Sequence, residues 1–227
     1  MVEILYENKE LLVCIKPAGT LSEKSDSPNS LPSLIEKEYL EKNTPISLFA
    51  VHRLDKEVSG VMVYAKSAGS AKELSAQIAD RKFHKEYLAI VEGVPEKKQD
   101  ILKDLLFKDS KRNKSYVVKR ERKGVKEASL EYKTLATKDE TSLLQIFLHT
   151  GRTHQIRVQF ASRGHSIIGD KKYGSQISLS AITLCSHKIA FSEPITKKVI
   201  EFTYIPKDLN IWNNYHDILE NLHDLTK

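Results

Sequence analysis

The chain holds only two cysteines in 227 residues, Cys14 and Cys185, each in an apolar setting (LLVCIK and ITLCSH). Two isolated thiols support neither a disulfide framework nor a cysteine zinc site. No uninterrupted apolar run could span a bilayer, so no membrane partner is expected. The first ten residues, MVEILYENKE, carry charge where a secretory leader needs an apolar stretch, and the expected location is the cytoplasm. Repeats and low-complexity tracts are missing as well. Without GxxxxGK[ST], or a GxGxxG after a strand, nucleotide cradles lack support. Without a GxSxG elbow, so does a serine hydrolase. Arg163-Gly164-His165 has the wrong order for a histidine-phosphatase RHG. His149, His154, His165 and His187 have no carboxylate or cysteine recurring at ligand spacing, so no metal is expected.

What remains is a globular chain. A 40% hydrophobic content argues against wholesale disorder, and the length suits one large domain or two small subdomains. Lys and Arg number 36 against 30 acids, a net charge of +6 that favours a polyanionic partner. The distribution is more telling. Residues 97–126 hold twelve basic and four acidic residues, a net +8 that exceeds the surplus of the whole chain. That segment, with Lys111, Arg112 and Lys114 at its middle, reads either as a solvated loop or as a phosphate-contacting arm. It is expected to divide two lobes.

Hydrophobic patterning places the elements. Residues 3–15 read as a two-strand hairpin, 22–30 as a loop, and 31–41 as a helix with Leu34, Ile35 and Leu40 inward. Ser59–Ala65 and Tyr87–Val91 are strands apolar on both faces, hence central. Between them, Ser70 and Glu73 have the capping-box spacing and open a helix with Ala71, Leu74 and Ile78 on one face. Residues 128–136 and 142–149 alternate as strands around Lys138-Asp139-Glu140. A helix follows, with Thr153 as N-cap, Ile156 and Phe160 inward, and Gly164 at its end. Strands over 182–191 and 198–205 lead to an amphipathic tail helix (about 210–226) on Ile211, Tyr215, Ile218, Leu222 and Leu225. The pattern implies an α+β fold on a largely antiparallel sheet.

Three polar clusters stand at the ends of these elements: His52-Arg53-x-Asp55, Lys85-Glu86-Tyr87, and His149-x-x-Arg152-x-His154-Gln155-x-Arg157. Sites gather at such ends. Each residue also has a plainer reading: Asp55 as half of a surface pair with Arg53, Tyr87 as core, and Arg157 as a surface arginine whose stem covers the core.

Five blocks occur in order: VCIKPAGT, HRLDKEVSG, KEYLAIVEG, TGRTHQIRVQFASRGHSIIGDKKYG and LCSHKIAF. Together they resemble the RluA-type RNA pseudouridine synthases over about residues 4–206. The resemblance implies a single catalytic domain over 1–227 without an S4 domain, folded as a largely antiparallel mixed sheet in two lobes with flanking helices. It implies isomerisation of a uridine in ribosomal or transfer RNA to pseudouridine, without cofactor, by a monomer. It gives Asp55 as the catalytic carboxylate, Tyr87 as the aromatic beside the target base, Arg157 as the basic partner of Asp55, and Arg53 as the base-displacing arginine. Lys16, His52, Arg152, His154, Gln155 and the 111–114 group are expected to contact RNA. Departures from the family pattern are TLSEKSD after KPAG, where a His-Pro pair is frequent, Val58 in place of Thr, and Cys185 in place of His.

Overall fold

In the computed structural model, which describes residues 1–224, the chain runs β1 (Ile4–Glu7), β2 (Leu11–Lys16), α1 (Leu31–Glu41), β3 (Phe49–Ala50), β4 (Ser59–Ala65), α2 (Ala68–Ala79), β5 (His84–Glu92), β6 (Gln99–Asp109), β7 (Lys114–Val118), β8 (Val125–Lys138), β9 (Thr141–Leu148), α3 (Gln155–Ala161), β10 (Leu184–Ser192), β11 (Val199–Thr203) and α4 (His216–Asp224). It forms two compact units: Met1–Lys85 with Ser186–Tyr204, and Glu86–Cys185 with Ile205–Lys227. Among the described residues no helix is long and apolar enough to cross a membrane.

The first unit orders its strands β1-β2-β4-β10, with β3 on β4 and β11 on β10. Every position of β2 and β4 is buried, as their two-sided apolar sequences demand. Strand alternation sends Leu11, Val13, Ile15, Val61 and Val63 to one face, where they pack with Leu74 of α2 and with Phe83, Ile189 and Phe191. Full burial of such side chains is worth ~1.5–3 kcal/mol each. Gly60 has φ +121°, and a Cβ there would lie 2.3 Å from the carbonyl oxygen of Ser186 on β10. Only glycine lets these strands approach.

In the second unit an antiparallel sheet runs β5-β9-β8-β6-β7. Ile156 and Phe160 of α3 are buried, with the Phe160 ring edge-on to Tyr132 at 5.3 Å. The basic segment is therefore neither a loop nor a divider of lobes: β6, β7 and the start of β8 form a paired ribbon inside this unit, and the basic turn at 110–113 is its tip.

Local signals were displaced in four places. Ser67, not Ser70, caps α2, its Oγ accepting from the Ser70 N–H at 3.2 Å; Glu73 is taken by Lys197. Thr153 does not cap α3, because His154 intervenes in the left-handed region (φ 53°). The Thr153 carbonyl instead accepts from Ser115 Oγ at 2.6 Å. Leu40 is exposed, whereas Leu31, Pro32 and Ile35 form the buried face of α1. The tail begins with a turn of 3-10 helix: of the expected series Tyr215 is buried and Ile211, Ile218 and Leu222 are half-buried, while Trp212 and Leu219 are buried beside them. Leu225 lies outside the described residues.

Candidate active site

In the first unit, Asp55 is half-buried and sits at the start of a turn closed by the Val58 N–H on the Asp55 carbonyl, 3.1 Å. The residues on either side of it are pinned. Ser22 Oγ accepts from the Leu54 N–H (3.0 Å) and donates to the Leu54 carbonyl (2.8 Å). The Lys56 carbonyl accepts from the Gly19 N–H (2.7 Å) and from Lys16 Nζ (3.1 Å). Two blocks far apart in sequence, KPAGTLS and HRLDKE, are thus one local structure that fixes the backbone on either side of Asp55.

Lys16 was expected to touch RNA. Here it is fully buried, and its ammonium donates to the carbonyls of Pro17, Thr20 and Lys56. An ammonium has three donors, and all are engaged within the loop. Burial pushes its pKa down to about 8, with the charges of Glu57 and Asp55 acting the other way. Lys16 is therefore an internal tether, which corrects the expectation of a surface contact. His52 is also buried, its Nε2 accepting from the Val63 N–H at 3.2 Å. Burial, then the nearby charge of Lys85, holds its pKa well below the usual histidine value. Arg53 is exposed and pairs with the exposed Glu23 at 3.0 Å, a contact weak enough to release.

In the second unit, Tyr87 is a buried residue of β5. Arg157 is only 1% exposed, so its surface reading is excluded. Its Nε and Nη2 form a bidentate fork onto Asp170, at 2.6 and 2.9 Å. Its guanidinium also stands 5.3 Å from the centre of the Tyr173 ring. Tyr173 is held in turn: its hydroxyl accepts from the Ser115 N–H (2.8 Å) and bonds His154 Nδ1 (2.9 Å). Gln155 is buried too, with Oε1 accepting from Thr150 Oγ1 and the Arg152 N–H and Nε2 donating to the Ser129 carbonyl. His154 and Gln155 thus brace α3, whereas Arg152, Lys111 and Arg112 are exposed and Lys114 is half-exposed. Among the described residues no group of three metal-ligating side chains gathers.

Residues 10–162 match the family described as RNA pseudouridylate synthase, well over half of the chain. The chain belongs to the RNA pseudouridylate synthase family. An uncharacterised RNA pseudouridine synthase of Aquifex aeolicus is 35% identical over 205 residues, covering 84% of this chain and 63% of that protein. The ribosomal large subunit pseudouridine synthase D of Zymomonas mobilis is 31% identical over 227 residues, covering 92% and 71%. Among solved structures, human RNA pseudouridylate synthase domain containing 1 superposes with a TM-score of 0.76 at 19% identity, covering 93% of this chain and 86% of that one; this supports the fold.

Two residues of this pseudouridylate synthase chain escaped sequence reasoning. Asp170 lies in the 25-residue block, in GDKKYG, and nothing in its spacing to Arg157 signals a buried pair. Gly169 before it (φ +84°) would place a Cβ 2.5 Å from the Ala181 carbonyl oxygen, so the turn presenting Asp170 requires glycine. Ser22 stands in the stretch where the chain departs from the family pattern, and its hydroxyl clamps the Leu54 backbone. Ser22→Ala leaves the Leu54 N–H and carbonyl without this partner in a buried site. The expected cost is ~1–3 kcal/mol of stability, with a fall in kcat larger than any change in RNA affinity. Chemical denaturation and single-turnover kinetics check both.

Proposed function

We propose that this chain isomerises a uridine of large-subunit ribosomal RNA to pseudouridine, in the cytoplasm, as a monomer and without cofactor. The N1–C1′ bond breaks, the detached uracil turns, and a C5–C1′ bond forms; the C5 proton leaves and N1 gains one, so the reaction is redox-neutral. The observation that carries the reading is the backbone clamp around Asp55, which holds a carboxylate steady inside the block that matches the family. Breaking a glycosidic bond builds positive character at C1′. The carboxylate serves by stabilising that charge, by adding to C1′, or by taking the C2′ proton, and all three routes need it ionised. Arg157, fixed by Asp170, is proposed as the basic partner of that carboxylate, and Tyr87 as the ring face that keeps the free base from escaping.

A stacked uridine must leave its helix, at roughly a few kcal/mol. Arg53, exposed beside Asp55, is the proposed occupant of the vacated stack. A non-catalytic RNA-binding factor on the same fold is disfavoured because Asp55, Tyr87 and Arg157 are all present. Incubating the purified protein with transcribed large-subunit ribosomal RNA and, separately, with transfer RNA tests the reading. Pseudouridine should form in the ribosomal RNA; modification of transfer RNA alone would overturn the substrate, and modification of neither would overturn the activity.

The ribbon tip is proposed to contact the RNA backbone. Changing Lys111, Arg112 and Lys114 together to Gln should flatten the slope of log affinity against log salt by ~2 for single-stranded RNA. An unaltered slope would make the tip a solvated hairpin.

A further inference from the structure

We propose that Lys85, backed by His52, forms a receptor for one phosphate of the RNA backbone. The inference rests on the RNA reading above and deepens it by assigning a ligand to a residue with no role so far. Lys85 is the second residue of β5. Its Nζ lies 5.3 Å from the centre of the Phe83 ring. The same ring meets the His52 imidazole at 5.4 Å and stacks on Phe191 at 5.1 Å. One buried aromatic therefore supports both groups from within the first unit.

Neither group is satisfied where it stands. His52 Nε2 accepts from the Val63 N–H, so in the neutral imidazole the proton sits on Nδ1. That Nδ1 is buried and has no hydrogen-bond partner among the described residues. Lys85 makes no hydrogen bond or ion pair among the described residues, and burial alone pushes its pKa down to about 8. Lys16, equally depressed, shows the contrast: its ammonium is wrapped by three carbonyls. A partly desolvated ammonium with no counter-charge is a cost to folding, and groups of that kind concentrate at functional sites. The partner missing from half-buried Lys85 is an oxyanion, with His52, whose Nδ1 is closed to solvent, as the wall behind it. A phosphodiester fits, because it brings full charge and acceptor oxygens without needing base identity.

The test uses a short single-stranded RNA containing one uridine, and variants of it in which a neutral methylphosphonate replaces one phosphate at a time. Lys85→Met should flatten the salt slope by ~0.7, one phosphate contact on a single strand, with Tm nearly unchanged, since methionine keeps an apolar stem on the Phe83 ring and relieves a partly desolvated charge. Lys85→Arg should keep the wild-type slope. One methylphosphonate position should weaken the wild-type protein and leave Lys85→Met indifferent. A Lys85→Met protein with the wild-type slope, the same sensitivity at every position, or a lowered Tm with unchanged affinity would overturn the proposal while leaving the RNA reading intact. A wild-type protein that shows no salt-dependent RNA binding would overturn both. Free inorganic phosphate, added at constant ionic strength, should compete only weakly; strong competition would assign the receptor to the free ion.

Discussion

Asp55→Asn should yield a folded protein that still binds RNA and forms no pseudouridine. The substitution is isosteric, and the contacts that fix this loop, from Ser22, Gly19 and Lys16, all run through the backbone of Leu54 and Lys56. The neutral amide therefore leaves the clamp in place. What it removes is the charge proposed to act at C1′, together with a group able to add to that carbon or accept a proton. A loss of about 10³-fold or more in turnover corresponds to ~4 kcal/mol of transition-state stabilisation, the scale of one preorganised charge. Equal RNA affinity with lost turnover places the effect in the chemical step. Turnover near the wild-type rate would remove Asp55 from the reaction.

The second large effect is at Arg157. Arg157→Ala leaves the buried Asp170 carboxylate without its fork, and breaking such a pair costs ~3–5 kcal/mol. Lost activity in that variant alone would be ambiguous, since the protein would also be less stable. The double change Arg157→Leu with Asp170→Leu separates the two roles: removing both charges should recover most of the stability, as apolar replacements of buried ion pairs do. Activity should stay lost, because the guanidinium proposed to act on Asp55 is gone. Denaturation midpoints and single-turnover rates measure the two outcomes. A stable, active double variant would make the Arg157–Asp170 pair purely structural.

Much of this was legible in the sequence, and the reasons differ by residue. Strands β2 and β4 were readable because burial on both faces leaves an apolar run with no polar alternation. Arg157 was picked out through its block, yet its burial was not legible, since one arginine beside Ile156 serves a surface or a core equally. Its pairing with Asp170 depends on the turn at Gly169, which no local spacing encodes. Lys16 was misjudged because a lysine after an apolar strand is ordinarily solvated; only the carbonyls of Pro17, Thr20 and Lys56, converging on one point, hold it inside. The basic segment was misjudged for a related reason: β6 carries charges on both of its faces, at Asp100, Lys103, Asp104, Lys108 and Asp109, so no clean polar–apolar alternation marks it as a strand. Helix starts slipped by one to three residues because Ser67 and Ser70 offer competing caps, and because His154 takes a left-handed conformation that residue type does not announce.

The decisive proposal is that the Asp55 carboxylate makes pseudouridine in large-subunit ribosomal RNA. Its most direct test is a pseudouridine map of total RNA from cells lacking the gene, complemented with either the wild-type chain or Asp55→Asn. A site in large-subunit ribosomal RNA should disappear with the gene, return with the wild type, and fail to return with Asp55→Asn. An unchanged map, or a site restored by Asp55→Asn, would contradict it.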